Sequence, residues 1–273
     1  MSRRREAEAE KKTKRPRKRV VLVLVEGRSE RELLEYFISS LYERIDESLL
    51  VYFPLIEKDH ESVGGDITSQ IFVKPKNIEE KIYKSFMKNL FDREKLYPKD
   101  VCEVIQIVDM DGVYINDDQI QVDPAAEKYF YDTDRLLVGS KEQVKQAAER
   151  NQRKRENLDY LLSLEEIKLQ TKRVKYSVYY FSSNLDHFFH GDANLDGRKT
   201  ELARAIGSCY MLDDGGVERF VEFVCSDPNA AQGKTLEESW EWIRERGSNS
   251  LHAGTNINIL FERLMQQAQD GDE

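Results

Sequence analysis

Acidic residues follow two apolar runs of this 273-residue sequence. Glu26 comes directly after residues 20–25, and Asp109 and Asp111 come directly after residues 104–108. Carboxylate oxygens are hard ligands of the kind that Mg²⁺ prefers, and Mg²⁺ keeps several waters that a phosphate can replace. The residue types therefore favour a magnesium site at Asp109 and Asp111. Glu26 would either complete the ligand set or act as a general base.

The hydrophobic pattern predicts the elements that position these carboxylates. Residues 20–25 are all Val or Leu, as in a strand buried on both faces of a parallel sheet. A helix follows to about residue 45, with Ser29 as its predicted N-cap. Further strands are predicted at residues 49–56, 104–108 and 174–183, helical segments at 75–98 and, charged and linker-like, at about 139–170, and an amphipathic helix at 255–267. Strands that alternate with helices predict an α/β sheet.

The predicted sheet would bring the carboxylates together. Ligands of open parallel sheets lie at the carboxyl ends of the strands, where Glu26 and the Asp109–Asp111 pair are expected. Because Asp109 and Asp111 are two positions apart, they would face the same side of an extended backbone. Each motif alone is ordinary turn chemistry, since Asp and Gly are common turn residues. Only the combination of two such strand ends points to a site.

Composition indicates a globular protein with a well-charged surface. Hydrophobic residues make up 40% and charged residues 34% of the chain. No apolar run approaches the roughly 20 residues needed to cross a bilayer, and no apolar signal segment follows the basic N-terminus. We therefore expect a cytoplasmic protein with no membrane partner. The three cysteines lack a CxxC pair and are expected to be buried thiols, without a disulfide framework or a zinc site.

The net charge of −9 conceals a strong asymmetry. Residues 1–19 contain ten of the 42 basic residues and three of the 51 acidic ones, so the rest of the chain has 32 basic against 48 acidic residues. Such an arm is predicted to be a disordered, solvated tail. The alternative is an electrostatic contact with nucleic acid phosphates.

Two stretches, VLVEGRSERELLEYF and IQIVDMDG, resemble the TOPRIM domain of primases, topoisomerases, recombination proteins and OLD-type nucleases. The resemblance covers roughly residues 20–115. It implies a mainly parallel sheet flanked by helices, with Mg²⁺ (or Mn²⁺) held by Glu26, Asp109 and Asp111. Glu30 matches a second acidic position of the OLD-like branch. The stretch VGGDI resembles the glycine-rich turn of that branch.

The second half of the chain resembles the RloB-like members of the group, in YYFSSNLDHFFHG, RKTELARAI and GTNINILFERL. This implies site roles for Asp186 and Lys199, although Leu185 stands in place of a proline and Asp186 lies only in the neighbourhood of the family's glutamate. Asp186 would be a second-metal ligand or a helix N-cap. Lys199 would neutralise a phosphate or be a solvated lysine. His187 and His190 would assist proton transfer, bind a metal or be partly buried aromatic residues.

The expected organisation has three parts: a basic arm at residues 1–19, a TOPRIM-like core at 20–138, and a C-terminal part at 139–273. The function implied by the resemblance is Mg²⁺-dependent hydrolysis of phosphodiester bonds in DNA or RNA, including transfer RNA, by a toxic effector of bacterial anti-phage defence. No Walker motif occurs, so a partner ATPase would be a separate protein. A homodimer is an open possibility. The alternative is a non-catalytic binding or regulatory module that acts with such a partner.

Overall fold

The computed structural model describes residues 18–58, 61–195, 197–212 and 214–270. The strands are β1 (Arg19–Leu24), β2 (Leu49–Tyr52), β3 (Glu57–Lys58), β4 (Glu61–Ser62), β5 (Val101–Asp109), β6 (Ile120–Val122), β7 (Phe130–Tyr131), β8 (Leu136–Val138), β9 (Glu166–Leu169) and β10 (Lys172–Phe181). The α-helices are α1 (Arg28–Ile45), α2 (Ile78–Ile82), α3 (Lys88–Glu94), α4 (Lys141–Leu162), α5 (Leu185–His190), α6 (Lys199–Met211), α7 (Gly216–Ser226), α8 (Leu236–Glu245) and α9 (Ile257–Asp270). Of the predicted basic arm, residues 1–17 lie outside the described residues.

The central sheet has the strand order β2-β1-β5-β10-β9. The first three pairs are parallel, and β9 joins the edge antiparallel to β10. The prediction of an α/β fold with a mainly parallel sheet flanked by helices is confirmed. The predicted strand at residues 49–56 is shorter, because β2 ends at Tyr52.

Side chains of the sheet alternate between two apolar layers. Val20, Leu22 and Leu24 of β1 pack on one face, towards α2, α3, α4 and α8. Val21 and Val23 pack on the other face, towards α1, α6, α7 and α9. Burial on both faces accounts for the unbroken Val/Leu run of β1, as parallel strands covered by helices require.

Helix α4 is an integral part of the core, and this corrects the prediction of a linker-like segment at 139–170. Ala147, Leu158 and Leu161 on this helix are fully buried. The helix also packs against a small three-stranded sheet of β6, β8 and β7. The end of the predicted helical segment is strand β9. Most charged residues of α4 lie on its solvent side, where they resemble a linker in sequence, but Lys154 is buried.

Two smaller predictions are also wrong. Helix α1 has Gly27 as its N-cap, without a side-chain cap, and Ser29 lies inside the helix. The cysteines are not buried thiols: Cys102 and Cys209 are exposed and Cys225 is half-buried. Within the described ranges, no helix combines the length and apolar character needed to span a membrane.

Candidate metal centre

The acidic centre lies where the chain changes direction across the sheet. After β1 the chain adds β2 on one side of it and then returns to add β5 on the other side. The carboxyl ends of β1 and β5 therefore flank a topological switch point, the usual place for a ligand in an open α/β sheet. Glu26 follows β1, and its Oε1 atom accepts a hydrogen bond of 3.1 Å from the backbone N–H of Asp109. The structure thus brings the first two predicted motifs together.

Asp109 ends β5, and the backbone turns sharply after it. Asp111 has a φ of +52°, so it lies in the left-handed region, and the expectation of an extended Asp109–Asp111 segment is wrong. Its backbone N–H donates to the carbonyl of Ser183 at 2.8 Å, and its own carbonyl accepts from Arg150 at 2.9 Å. These two contacts fix the turn. Asp111 still lies near the centre, with its Oδ2 atom 3.9 Å from the ammonium of Lys154.

Lys154 of α4 is a residue of the centre that the sequence reasoning missed. Its side chain is 1% exposed, and its Nζ atom lies 2.9 Å from Asp66 Oδ2 and 3.6 Å from Glu26 Oε1. The ammonium also donates to the backbone carbonyl of Asp109. A signal was present, because Lys154 falls on the buried stripe of α4 that also contains Asn151, Leu158, Ala147 and Leu161. A lysine on an apolar stripe requires a buried partner.

Asp66 is the second residue that was missed. It lies in the VGGDI stretch and caps a 3₁₀ turn, accepting from the backbone N–H of Thr68 at 2.7 Å. The turn before it packs tightly on Glu26: the N–H of Gly65 donates to the Glu26 carbonyl at 2.6 Å, and Gly64 has a φ of +68°. The glycine-rich turn therefore places Asp66 beside the end of β1.

Glu30, Asp186 and Lys199 form the other side of the centre. The Lys199 ammonium lies 2.8 Å from Asp186 Oδ2. Asp109 connects the two sides, because its Oδ1 atom accepts from the backbone N–H of Leu185 at 3.1 Å. The N-cap of α5 is Asn184, whose side chain accepts from the N–H of His187, so Asp186 is not a helix cap. Glu30 Oε2 and Asp186 Oδ1 are buried and have no hydrogen-bond partner.

The carboxylates of the centre lie close enough together to shift one another's pKa values. Burial raises the pKa of Glu26 well above its usual value, and the charges of Asp66, Asp111 and Glu30 add to this effect, whereas Lys154 opposes it. Burial likewise raises the pKa of Asp109, with further contributions from Glu30 and Glu26. For Asp66, burial raises the pKa, but Lys154 and the Thr68 hydrogen bonds outweigh it, so its pKa is lowered.

The histidines beside the centre are only partly buried. Nδ1 of His187 and Nε2 of His190 have no hydrogen-bond partner. Burial and the nearby charge of His252 lower the pKa of His187. A neutral His187 at pH 7 can accept a proton. No contact of the described residues gives it a further role in the centre.

A divalent cation suits the chemistry of these donors. All six acidic side chains offer hard oxygens, and two buried carboxylate oxygens lack any partner. Among the residues that the structure describes, no group of three or more His, Cys, Asp or Glu side chains is arranged so that it could hold a metal ion. Lys154 stands instead between Glu26, Asp66 and Asp111.

Comparisons with known proteins add nothing further about this centre, since no family model, curated protein or solved structure matches the chain.

Proposed function

We propose that the protein is a metal-dependent nuclease of the TOPRIM type, with Mg²⁺ or Mn²⁺ as its cofactor. The observation that carries this proposal is the convergence of buried and half-buried carboxylates at the ends of three neighbouring strands. Glu26 follows β1, Asp109 ends β5, and Asp186 follows β10. Such clustering is costly without a cation, because each carboxylate disfavours ionisation of its neighbours.

The carboxylates of the centre would hold the metal ion, for which the resemblance implies Glu26, Asp109 and Asp111 as ligands. When bound, the ion would supply Lewis acidity to a scissile phosphate and a more acidic bound water. Glu26 is the favoured general base, because its carboxylate lies beside Asp109 at the carboxyl end of the sheet. Lys199 has a side chain that is 42% exposed, so its ammonium can reach a substrate phosphate at the rim.

The proposed substrate is the phosphodiester backbone of DNA or RNA, including transfer RNA. The proposed biological setting, a toxic effector of anti-phage defence that acts with a separate ATPase, rests on the sequence resemblance. Expression in bacterial cells tests this setting. The intact chain should impair growth when its trigger or partner is present, and Glu26→Gln should relieve the impairment.

A non-catalytic module is the second candidate, and one contact favours it. Lys154 already provides a positive charge to three carboxylates, as it would in a purely structural ion network. Isothermal calorimetry separates the two candidates when it is combined with a cleavage assay. Metal binding that is lost in Asp109→Asn, without cleavage of any nucleic acid, would support the module.

The deciding experiment is cleavage by the purified full chain. Single- and double-stranded DNA, total RNA and transfer RNA should be incubated with Mg²⁺ or Mn²⁺, alone and with genomic-neighbour proteins. We expect cleavage that disappears with EDTA and falls at least 100-fold in Glu26→Gln. The matched control is Glu43→Gln, which makes the same change at an exposed position of α1. This variant should cleave normally. Absence of cleavage under all conditions, or equal cleavage by Glu26→Gln, would sink the nuclease proposal.

A further inference from the structure

We infer that Lys154 is a resident cation of the acidic centre, which fills one half of it and leaves room for a single divalent ion in the other half. The inference rests on the proposed function, since it concerns the metal content of the same site. The first half contains Glu26, Asp66 and Asp111, and we call it the lysine half. The second half contains Glu30 and Asp186, with Asp109 between the two, and we call it the open half.

The Lys154 ammonium offsets part of the negative charge of the lysine half through contacts at close range. The Lys154 ammonium is within 3.9 Å of a carboxylate oxygen from each of its three acidic residues. It also has a backbone acceptor, the carbonyl of Asp109. A buried ammonium is stable only with such partners, so its displacement by a metal ion would leave a charged group without compensation.

A second cation in the lysine half would be repelled by the first. The ammonium and a divalent ion bound to the same carboxylates would lie a few ångströms apart, and their repulsion is strong where water is excluded. Lys154 cannot move into solvent to relieve it, because its side chain is 1% exposed and begins on the buried face of α4. The lysine half is therefore closed to metal.

The open half has oxygens that lack partners. Glu30 is 8% exposed and Asp186 is 3% exposed, yet Glu30 Oε2 and Asp186 Oδ1 make no hydrogen bond. A buried carboxylate oxygen without a donor is costly, and a cation would satisfy both atoms. Glu30 Oε2 lies against Gly27, where a Cβ atom would be only 2.9 Å from it, so a larger residue at position 27 would displace this carboxylate.

Lys199 would compete with a metal ion for the open half, and its side chain is partly exposed. Lys199 contacts Asp186 through Oδ2 at 2.8 Å, but its side chain is 42% exposed, in contrast to Lys154. Because the Lys199 end of this pair is solvated, its long side chain can turn into water when a metal ion binds. The ligand set inferred here shares Asp109 with the set implied by the resemblance, and it replaces Glu26 and Asp111 with Glu30 and Asp186.

Two-metal sites stabilise both the attacking and the leaving oxygen of a phosphodiester. In this centre a fixed ammonium would take the place of one of the two metal ions. The ammonium provides one positive charge where a metal ion would provide two, but it is covalently part of the chain. The centre would then need only one metal ion to be complete.

Calorimetric titration of the full chain with MnCl₂ tests the inference, with room-temperature electron paramagnetic resonance to count free Mn²⁺. We expect one ion per chain. Glu30→Gln should weaken binding at least tenfold, whereas Asp66→Asn should change it less than threefold. Lys154→Met should admit a second ion, and Lys145→Met, an exposed position of the same helix, should not.

Several results would overturn the inference: two ions or none in the unmodified chain, equal losses in Glu30→Gln and Asp66→Asn, or a folded Lys154→Met that still binds one ion. Circular dichroism and thermal unfolding establish whether Lys154→Met folds. If it does not fold, the ion count of the unmodified chain and the Glu30/Asp66 comparison decide. Two bound ions with normal cleavage would contradict only this inference, and one bound ion without cleavage of any nucleic acid would contradict only the nuclease proposal.

Discussion

The carboxylate of Glu26 accepts the backbone N–H of Asp109 at 3.1 Å, although the two residues are 83 positions apart in the chain. This bond joins the ends of two parallel strands at the switch point of the sheet. It gives Glu26 a structural role besides any chemical one, since it satisfies a part-buried N–H group. The two roles respond differently to substitution.

Glu26→Gln and Glu26→Ala should separate these roles. The glutamine amide oxygen can still accept from Asp109, so we expect a stability within about 1 kcal/mol of the original chain. Alanine leaves that N–H unpaired and should cost about 2 kcal/mol. Both changes should abolish cleavage. Urea unfolding measures the stabilities, and a stable but fully active Glu26→Gln would contradict the catalytic assignment.

Gly64→Ala should disrupt the centre from its backbone. Gly64 has a φ of +68°, and a Cβ atom there would lie 2.6 Å from the Glu26 carbonyl oxygen. Strain and clash together should cost about 3 kcal/mol and displace Glu26. Gly191→Ala is the matched control, because Gly191 has a φ of +72° but open space around its Cβ position. It should cost about 1 kcal/mol and leave cleavage unchanged. Equal losses of activity in both variants would argue against a specific contact with Glu26.

The main features of the fold could be predicted from hydrophobic patterning. Apolar runs marked β1 and β5, the second with Gln106 inside it, and the aromatic alternation of residues 174–183 marked β10. Burial on one or both faces leaves a period that is visible in sequence. Strand order and the carboxylate partners of Lys154 are tertiary properties. They depend on which helix covers which face, and single-element patterns do not contain that information.

The candidate site shows the same division. Glu26 and Asp109 end apolar runs, so their place at the sheet edge followed from the general rule for parallel sheets. Asp66 lies in a turn after a short hairpin, and its approach to Glu26 depends on the conformation of Gly64. The left-handed backbone at Asp111 was also missed, because aspartate is only a weak indicator of positive φ.

Asn256→Ala should destabilise the chain more than any exposed polar change. The Asn256 side chain accepts from the backbone N–H of Tyr180 at 2.7 Å and donates to Ser239 Oγ at 2.9 Å, both in the buried interior. Alanine would leave the buried Tyr180 N–H unpaired and would remove the bond to Ser239, whose hydroxyl still donates to the Leu236 carbonyl, at a cost of about 3 kcal/mol. Asn89→Ala, at an exposed position with one side-chain bond to Glu57, should cost less than about 0.5 kcal/mol. Similar unfolding midpoints in urea for the two variants would refute this reasoning.

Acid should weaken a second ion cluster, near the amino end of β5, away from the acidic centre. Glu103 accepts from Tyr42 at 2.6 Å and from Arg263 at 2.7 Å. Burial alone would raise the pKa of Glu103, but Arg263, the Tyr42 hydrogen bond and Lys175 outweigh it, so the pKa is lowered from its ordinary value of 4.5.

The sign of the pH dependence follows from this lowered pKa. Because the folded chain holds the Glu103 proton less tightly than the unfolded chain, the carboxylate stabilises the fold above about pH 4.5, and that contribution is lost as the pH falls through the lower folded value. Glu103→Gln should therefore lower the free energy of unfolding by about 2 kcal/mol at pH 7 and by much less at pH 3. Urea unfolding at each pH measures the difference, with Glu43→Gln as the exposed control. The prediction would be contradicted if the original chain and Glu103→Gln differed by the same unfolding free energy at pH 7 and at pH 3. Ionisation of Glu103 would then add nothing to stability.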